Sequence, residues 1–314
     1  MTAVHPGRDA GGAAADDGAS PAGPDRLGVV VASAGRPGDV AMLLGTLASQ
    51  SRPPDLVVLA VGDHADVPAL PAARFTVAVV LAERGLTKQR NAGLAAADAA
   101  GCGVVAFFDD DFLPASDYLE RAVAALAADP ALLGVDGAVV ADGAVGPGLT
   151  WAAAAEILAG DRRRPGPVIY DQPDGLYGCN MVVRTRAAVA VRFDETLPLY
   201  AWLEDWDLSR RLIGRGRIGR VPQARGVHLG VKRGRTSGLR MGYSQIANPV
   251  HLLRKGTMPL GVAARHLLRR PAGNLWGALR RDPHVDRVGR LRGNLLGALD
   301  LARGRLHPAR ILSL

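Results

Sequence analysis

Four short, unbroken apolar runs restrict the fold of this chain more than any other feature. Residues 27–32, 56–61, 76–81 and 104–108 are rich in valine, do not alternate with polar residues, and are separated by stretches patterned as helices. Strands of this kind are covered on both faces. Between the first two runs, Val40, Leu43, Leu44 and Leu47 recur at helical spacing behind Asp39. That pattern predicts an amphipathic helix over residues 39–49 with Asp39 as its N-cap. A second helix is expected over residues 87–100. A third follows Ser116, carries Leu119, Val123 and Leu126 on one face, and stops at Asp129-Pro130. The order β-α-β-β-α-β-α predicts an α/β fold: a Rossmann-like, mainly parallel sheet flanked by helices, with ligands beyond the carboxyl ends of its strands.

Outside that core the text changes character. Residues 1–26 are Ala, Gly, Asp and Pro with little to bury, and are expected to be a disordered tail. Beyond residue 140 the pattern supports a strand at 179–183 and a helix at 203–213. Helical patches such as 263–270 and 294–305 follow, interrupted by Pro271, Pro283 and several glycines. The expected division is therefore a tail over 1–26, an α/β domain over 27–235, and a basic helical C-terminal extension over 236–314. Net charge is +8, but residues 209–314 hold 23 Lys/Arg against 3 Asp/Glu, so the remainder is acidic. Such a segregated charge implies an anionic partner: a phosphorylated substrate, nucleic acid or an anionic membrane surface. Few aromatic residues interleave with these arginines, which leaves little surface for base stacking, so nucleic acid is not expected. Two cysteines, Cys102 and Cys179, exclude a disulfide framework and a four-cysteine zinc site. Neither a bilayer-length apolar run nor a secretory signal is evident, and a cytoplasmic protein is expected.

Chemistry concentrates at three places. Asp109, Asp110 and Asp111 follow the apolar run Val104-Val105-Ala106-Phe107-Phe108 directly. Like charges crowded at the end of a buried strand are unfavourable unless a cation neutralises them, and oxygen ligands suit Mg²⁺ or Mn²⁺. Glu204 and Asp205 open a helix between Trp202 and Trp206, where an ionised carboxylate gains from the helix dipole and can serve as a base. His228 lies in a glycine-rich stretch with Lys232, Arg233 and Arg235, a composition suited to a flexible diphosphate-handling segment. Upstream, Lys88 and Arg90 stand at a helix start where side-chain charge and backbone N–H groups can face an anion.

Together with the opening strand ending in Ser33, the segment Arg90-Asn91-Ala92-Gly93, Phe107-Phe108-Asp109-Asp110-Asp111, Gly178-Cys179-Asn180, Phe193-Asp194-Glu195 and Glu204-Asp205, the chain resembles a family 2 glycosyltransferase from about residue 27 to 235. The resemblance implies a GT-A fold and inverting transfer of a sugar from a nucleotide-sugar donor to the hydroxyl of a carbohydrate or lipid-linked acceptor. It assigns the divalent ion to Asp111, with Asp109 and Asp110 at the ribose and the ion's surroundings. His228 falls at a position near metal or diphosphate, Asp205 at the base and Glu204 at its support. Ser33, Arg36, Asp63, Lys88 and Arg90 fall to the nucleotide and its phosphates. The sequence departs from the family in Ala34-Gly35-Arg36, where an Asn-Arg pair is usual, and in Gly62-Asp63-His64, where paired acids are usual. A role in cell-surface polysaccharide or glycolipid synthesis, at the inner face of the plasma membrane, would suit the Leu/Arg helices. Two alternatives from the residues alone are a haloacid dehalogenase-type phosphohydrolase and a non-enzymatic anion-binding module.

Overall fold

The structure, a computed structural model, describes residues 26–144, 146–162, 166–170, 175–232 and 237–314. The expected tail, apart from residue 26, and the cations Arg233 and Arg235 lie outside the described residues.

The first half follows the expected alternation. It runs β1 (Leu27–Ser33), α1 (Pro37–Ala48), β2 (Leu56–Val61), β3 (Thr76–Leu81), α2 (Leu86–Ala99), β4 (Val104–Asp109), the short β5 (Phe112–Pro114) and α3 (Tyr118–Ala128). The second half contains β6 (Leu132–Asp142), α4 (Trp151–Gly160), the two-residue β7 (Ile169–Tyr170), β8 (Asn180–Arg184), α5 (Thr185–Val191), α6 (Glu204–Ile213) and β9 (Arg217–His228). Three helices close the chain: α7 (Gly238–Lys255), α8 (Leu260–Leu279) and α9 (Arg287–Ala302).

The sheet order is β3-β2-β1-β4-β8-β6-β9-β5, with β7 paired to β9. Strands β3, β2, β1 and β4 are mutually parallel, as the continuous valine runs require, and β6 runs parallel to β9. Strand β8 lies antiparallel between β4 and β6, which joins the two parallel sets. Alternate residues of each central strand feed opposite layers. Val29, Val31, Ala106 and Phe108 pack with α1 and α3, whereas Val30, Val105 and Phe107 pack with α2, α5 and α6. Each such valine or phenylalanine taken fully out of water contributes about 1.5–3 kcal/mol. Helix α2 can lie this close to β1 because residue 93 is glycine: a Cβ there would meet Val30 Cγ1 at 2.4 Å.

Two local expectations are corrected. Asp39 is not the N-cap of α1, which begins at Pro37 after Arg36; its buried carboxylate instead accepts a hydrogen bond from Trp151 Nε1. Nor does Pro271 break the chain, because α8 runs through it for 20 residues. The C-terminal helices meet the sheet domain through a shared cluster, in which Leu197, Leu203 and Trp206 pack with Leu252, Met258 and Ala263. Polar contacts reinforce it: Lys255 Nζ donates to Asp194 at 2.6 Å and Asp207 at 2.8 Å.

Candidate active site

The three aspartates sit at the carboxyl edge of the sheet, where β4 turns into β5. Strand β9 ends beside that turn. His228 is in register with Phe112 of β5 on one side and with Asp142 of β6 on the other. The backbone N–H of Leu229 donates to the Asp111 carbonyl, and that of Val231 to Asp111 Oδ2. His228 therefore ends a strand and does not ride on a flexible segment, and its ring is aimed by two strands at once.

Ligand atoms of Asp109, Asp111 and His228 lie within 4.8 Å of one another, the one such group among the described residues. His228 Nε2 is 3.5 Å from Asp111 Oδ1, and its Nδ1 is 2.9 Å from Asp142 Oδ1. Burial alone would lower the His228 pKa, but hydrogen bonds to Asp111 and Asp142 push it up to about 10. Without a metal, a proton on that ring neutralises the acids. Burial would raise Asp142, but its hydrogen bond with His228 dominates and holds it at about 2. Two carboxylates and an imidazole whose other nitrogen is committed to a carboxylate make a donor set that fits Mn²⁺ or Mg²⁺. Asp142 escaped the sequence reading. The only signal was an acid near the end of a strand that was not recognised.

Arg90 is 1% exposed, and its guanidinium lies inside the protein. It donates to Asp109 Oδ1 at 2.8 Å, Glu204 Oε1 at 2.7 Å and the Gly178 carbonyl at 2.7 Å, and packs over the Phe193 ring. The expectation that Arg90 holds phosphates is thus corrected: it is buried, lines neither cavity and instead ties Asp109 to Glu204. Desolvation opposes its charge, but Asp109 and Glu204 raise its pKa further.

Glu204 is buried and Asp205 half-buried at the first turn of α6. Asp205 Oδ2 accepts from the Gly178 N–H at 2.9 Å, and Oδ1 from its neighbour Trp206 N–H at 2.8 Å. Burial raises the Asp205 pKa while these two N–H groups oppose the rise. Burial first, then the Asp205 charge, push Glu204 up to about 8 against the pull of Arg90. The segment leading to α6 is strained: Leu199, Ala201 and Leu203 all have positive φ. Backbone of this kind costs about 1–3 kcal/mol per residue and persists where surrounding structure enforces it. Here α7 does so in part, with Asn248 Nδ2 donating to the Trp202 carbonyl at 2.8 Å.

Two cavities meet at the metal-capable set. The smaller, about 350 Å³, opens beside the end of β1 and is lined by Ser33, Arg36, Arg84, Gln89, Asp111 and Arg240 among others. The larger, about 750 Å³, is lined by Glu204, Asp205, Tyr177, Trp202 and residues of α8. Asp109, His228, Leu86 and Tyr200 line both. Arg84 and Arg240 were not anticipated from sequence.

The remaining expected residues divide. Ser33 and Arg36 line the smaller cavity, and Arg36 pairs with Asp110 at 2.9 Å and Asp111 at 3.4 Å. Asp110, expected at the ribose, is instead fully buried and accepts from Ser33 Oγ at 2.5 Å. Burial pushes it up to about 7 despite Arg36, so it positions those two side chains from below. Asp63 is exposed, accepts from the Ala65 N–H and lines neither cavity. Buried Asp66, three residues on, is the acid that holds the Gly35 N–H at 2.6 Å. Lys88 pairs with Glu83 away from both cavities. The start of α2 is not an open anion site either, because the Leu86 N–H is taken by the Leu199 carbonyl and the Gly85 N–H by Gln89.

This arrangement defines a GT-A architecture: a Rossmann-like half-sheet, an acidic turn after the fourth strand, and a helix-borne acid pair across a cleft. Residues 44–189 match the family described as Glycosyl transferase family 2. The fold is similar to that of the mannosyltransferase PcManGT from Pyrobaculum calidifontis, solved in complex with GDP-Man and Mn²⁺, at 17% identity and a TM-score of 0.52 over 91% of this chain and 85% of that one. Staphylococcus aureus TarS aligns at 16% identity and a TM-score of 0.48, over 73% of this chain and 40% of TarS. Mycobacterium tuberculosis glucosyl-3-phosphoglycerate synthase aligns at 15% and 0.47, over 75% and 81% of the two chains. The chain thus spans less than half the length of the TarS chain it matches. A search of the curated proteins gives no match.

Proposed function

We propose that the protein is a metal-dependent, inverting glycosyltransferase that moves a sugar from a nucleotide-sugar to an acceptor hydroxyl. The observation that carries this reading is the meeting of two cavities at Asp109 and His228, with the acid pair on the wall of the larger one. The smaller cavity would take the nucleotide, with Arg36, Arg84 and Arg240 near its phosphates and Ser33 at the ribose side. Asp109, Asp111 and His228 would hold Mg²⁺ or Mn²⁺; PcManGT was solved in complex with GDP-Man and Mn²⁺. When bound, the ion supplies Lewis acidity toward the departing diphosphate oxygen.

Asp205 would act as the base. The acceptor hydroxyl gives its proton to Asp205 Oδ2 as its oxygen bonds to the anomeric carbon and the bond from that carbon to the diphosphate breaks. Attack from the face opposite the leaving group inverts the centre, so an α-linked donor gives a β-linked product. A positioned base of this kind is worth about 10²–10⁴ in rate. Glu204 is linked to Asp109 through the Arg90 guanidinium, and the Gly178 and Trp206 N–H groups keep Asp205 at the cavity wall. Asp205→Asn should bind nucleotide normally and lose transfer. Wild-type transfer by that variant would refute the assignment.

The acceptor side supports a role at a lipid surface, in polysaccharide or glycolipid synthesis. Among the described residues no helix is long and apolar enough to cross a membrane. Yet Leu260, Leu268, Leu279 and Leu295 are each more than 60% exposed on α8 and α9, among the arginines of the +20 segment. Apolar side chains beside cations suit seating on anionic headgroups. Flotation with anionic vesicles at low salt tests this; absence of binding removes the membrane role and leaves the transfer chemistry untouched.

A further inference from the structure

Several cations on the wall of the larger cavity have no part in the chemistry above. Within that cavity, Arg220 is held by buried Asp136, and His228 by Asp142. Helix α8, which supplies the wall opposite Asp205, contains no acidic residue. It contributes Arg265, His266, Arg269 and Arg270 to the lining. Among the described residues, neither Arg269 nor Arg270 forms an ion pair with a carboxylate. Arg270 instead rests over the Trp202 ring, 5.1 Å from its centroid, and the His266 ring meets the same indole edge-on at 5.4 Å. Trp202 lies two residues before Glu204, so this stack borders the acid pair directly. Enclosure lowers the Arg270 pKa, with no neighbouring acid to offset the desolvation.

Both guanidiniums are exposed on the cavity wall, and cations there without an internal counter-charge gain charge-assisted hydrogen bonds when an anion arrives. The donor's diphosphate does not fill this need. Arg269 and Arg270 line only the larger cavity, whereas Arg36, Arg84 and Arg240 line the smaller one.

We propose that the larger cavity is an acceptor site for a molecule carrying a phosphoryl group, clamped by Arg269 and Arg270 beside Trp202 so that its hydroxyl meets Asp205. This rests on the glycosyl-transfer reading for what the site is used for, but not for whether the anion binds. The planar guanidinium fork accepts a phosphoryl group through two parallel N–H donors, which favours it over a neutral sugar. The phosphoryl group could be borne by a soluble molecule or by a lipid, and the chemistry of the clamp is the same for both.

The test uses the full chain with Mn²⁺ and a saturating nucleoside diphosphate, so that the metal and donor cavity are occupied and cannot capture the probe. The nucleotide is the one whose sugar ester gives metal-dependent nucleotide release in a screen of UDP-, GDP- and dTDP-sugars. Glycerol 1-phosphate and glycerol are titrated by following tryptophan fluorescence, and vesicles of phosphatidylcholine with and without phosphatidic acid are tested by flotation. Arg269→Gln/Arg270→Gln is compared with the charge-matched Arg303→Gln/Arg305→Gln, whose side chains are exposed on the far end of the helical region. Circular dichroism verifies that both variants fold.

The expected result is a response to the phosphate and not to glycerol, weakened about 10- to 100-fold in the Arg269/Arg270 variant and retained in the control. Arg269→Lys/Arg270→Lys should recover part of the response, because charge returns without the fork. A loss for glycerol 1-phosphate assigns a soluble phosphorylated acceptor, and a loss confined to phosphatidic acid vesicles assigns a membrane-borne one. Equal behaviour of the two double glutamine variants overturns the proposal, as does an equal response to glycerol and its phosphate together with equal flotation with and without phosphatidic acid. Failure of every nucleotide-sugar in the release screen instead counts against the transfer reading. The phosphate titration, repeated without nucleotide, then still decides whether the clamp exists.

Discussion

Alanine at position 178 would place a methyl group against both acids of the proposed catalytic pair. A Cβ built there lies 2.8 Å from Glu204 Oε1 and 3.1 Å from Asp205 Oδ2, against 3.4 Å for ordinary contact. The shortfalls are about 0.6 Å and 0.3 Å. Neither carboxylate can retreat freely. Glu204 is fixed by Arg90 at 2.7 Å, and Asp205 by the Gly178 and Trp206 N–H groups at 2.9 and 2.8 Å. A misplacement of about 1 Å can cost about 10²-fold in rate, so half that displacement is expected to lower kcat about tenfold. Nucleotide affinity should change little, because Gly178 lines only the larger cavity. The assay is metal-dependent nucleotide release at saturating donor and acceptor, with nucleotide binding measured separately by calorimetry. Unchanged kcat in Gly178→Ala would refute the claim that this acid pair must stay where it is. A kcat loss matched by an equal loss of nucleotide affinity would refute its specificity.

Asp142→Asn removes the carboxylate that fixes the His228 ring, so Mn²⁺ affinity should fall about 10- to 100-fold by calorimetry, with little change in thermal stability. Arg90→Met leaves buried Glu204 and half-buried Asp109 without their shared partner and should cost about 3–5 kcal/mol in denaturant unfolding. For Asp194, burial alone would raise the pKa, but hydrogen bonds from His251 and Lys255 hold it well below the ordinary carboxylate value. Its stabilisation is therefore complete above the unfolded-state value and lost as pH falls through the lower folded-state one. Asp194→Asn should be less stable than wild type at pH 7, and the difference should shrink in strongly acidic buffer, as measured by melting temperature.

Much of the site could be read from sequence wherever chemistry coincides with a continuous buried strand. The valine runs identified β1 to β4, and the acids after Phe108 stood out because nothing separates them from an apolar core strand. What failed was the assignment of direction. Arg90 and Asp110 have the residue types of ligand contacts, but burial turns both into internal supports. Nothing in the local text reports that burial, because the partners are distant in sequence: Gly178 and Glu204 for Arg90, and Ser33 and Arg36 for Asp110. Asp142 was missed for a related reason. Strand β6 meets β9 with register shifts at Leu132/Gly134, Gly137/Ala138 and Val139/Ala141, so its polar and apolar residues do not alternate cleanly. Strand β9 carries Arg217, Arg220, Pro222 and Arg225 and reads as a loop, which hid the rigidity of His228. Pro249 within α7 and Pro271 within α8 similarly obscured two long helices that form the acceptor-side wall and its support.

Manganese binding tests the central claim most directly. Titration of the full chain with Mn²⁺, by calorimetry or by loss of the free-ion paramagnetic signal, should show uptake that strengthens with a nucleoside diphosphate and is abolished in Asp111→Asn and His228→Ala. Failure of wild-type protein to take up Mn²⁺ with any nucleotide, or full uptake by both variants, would contradict the account.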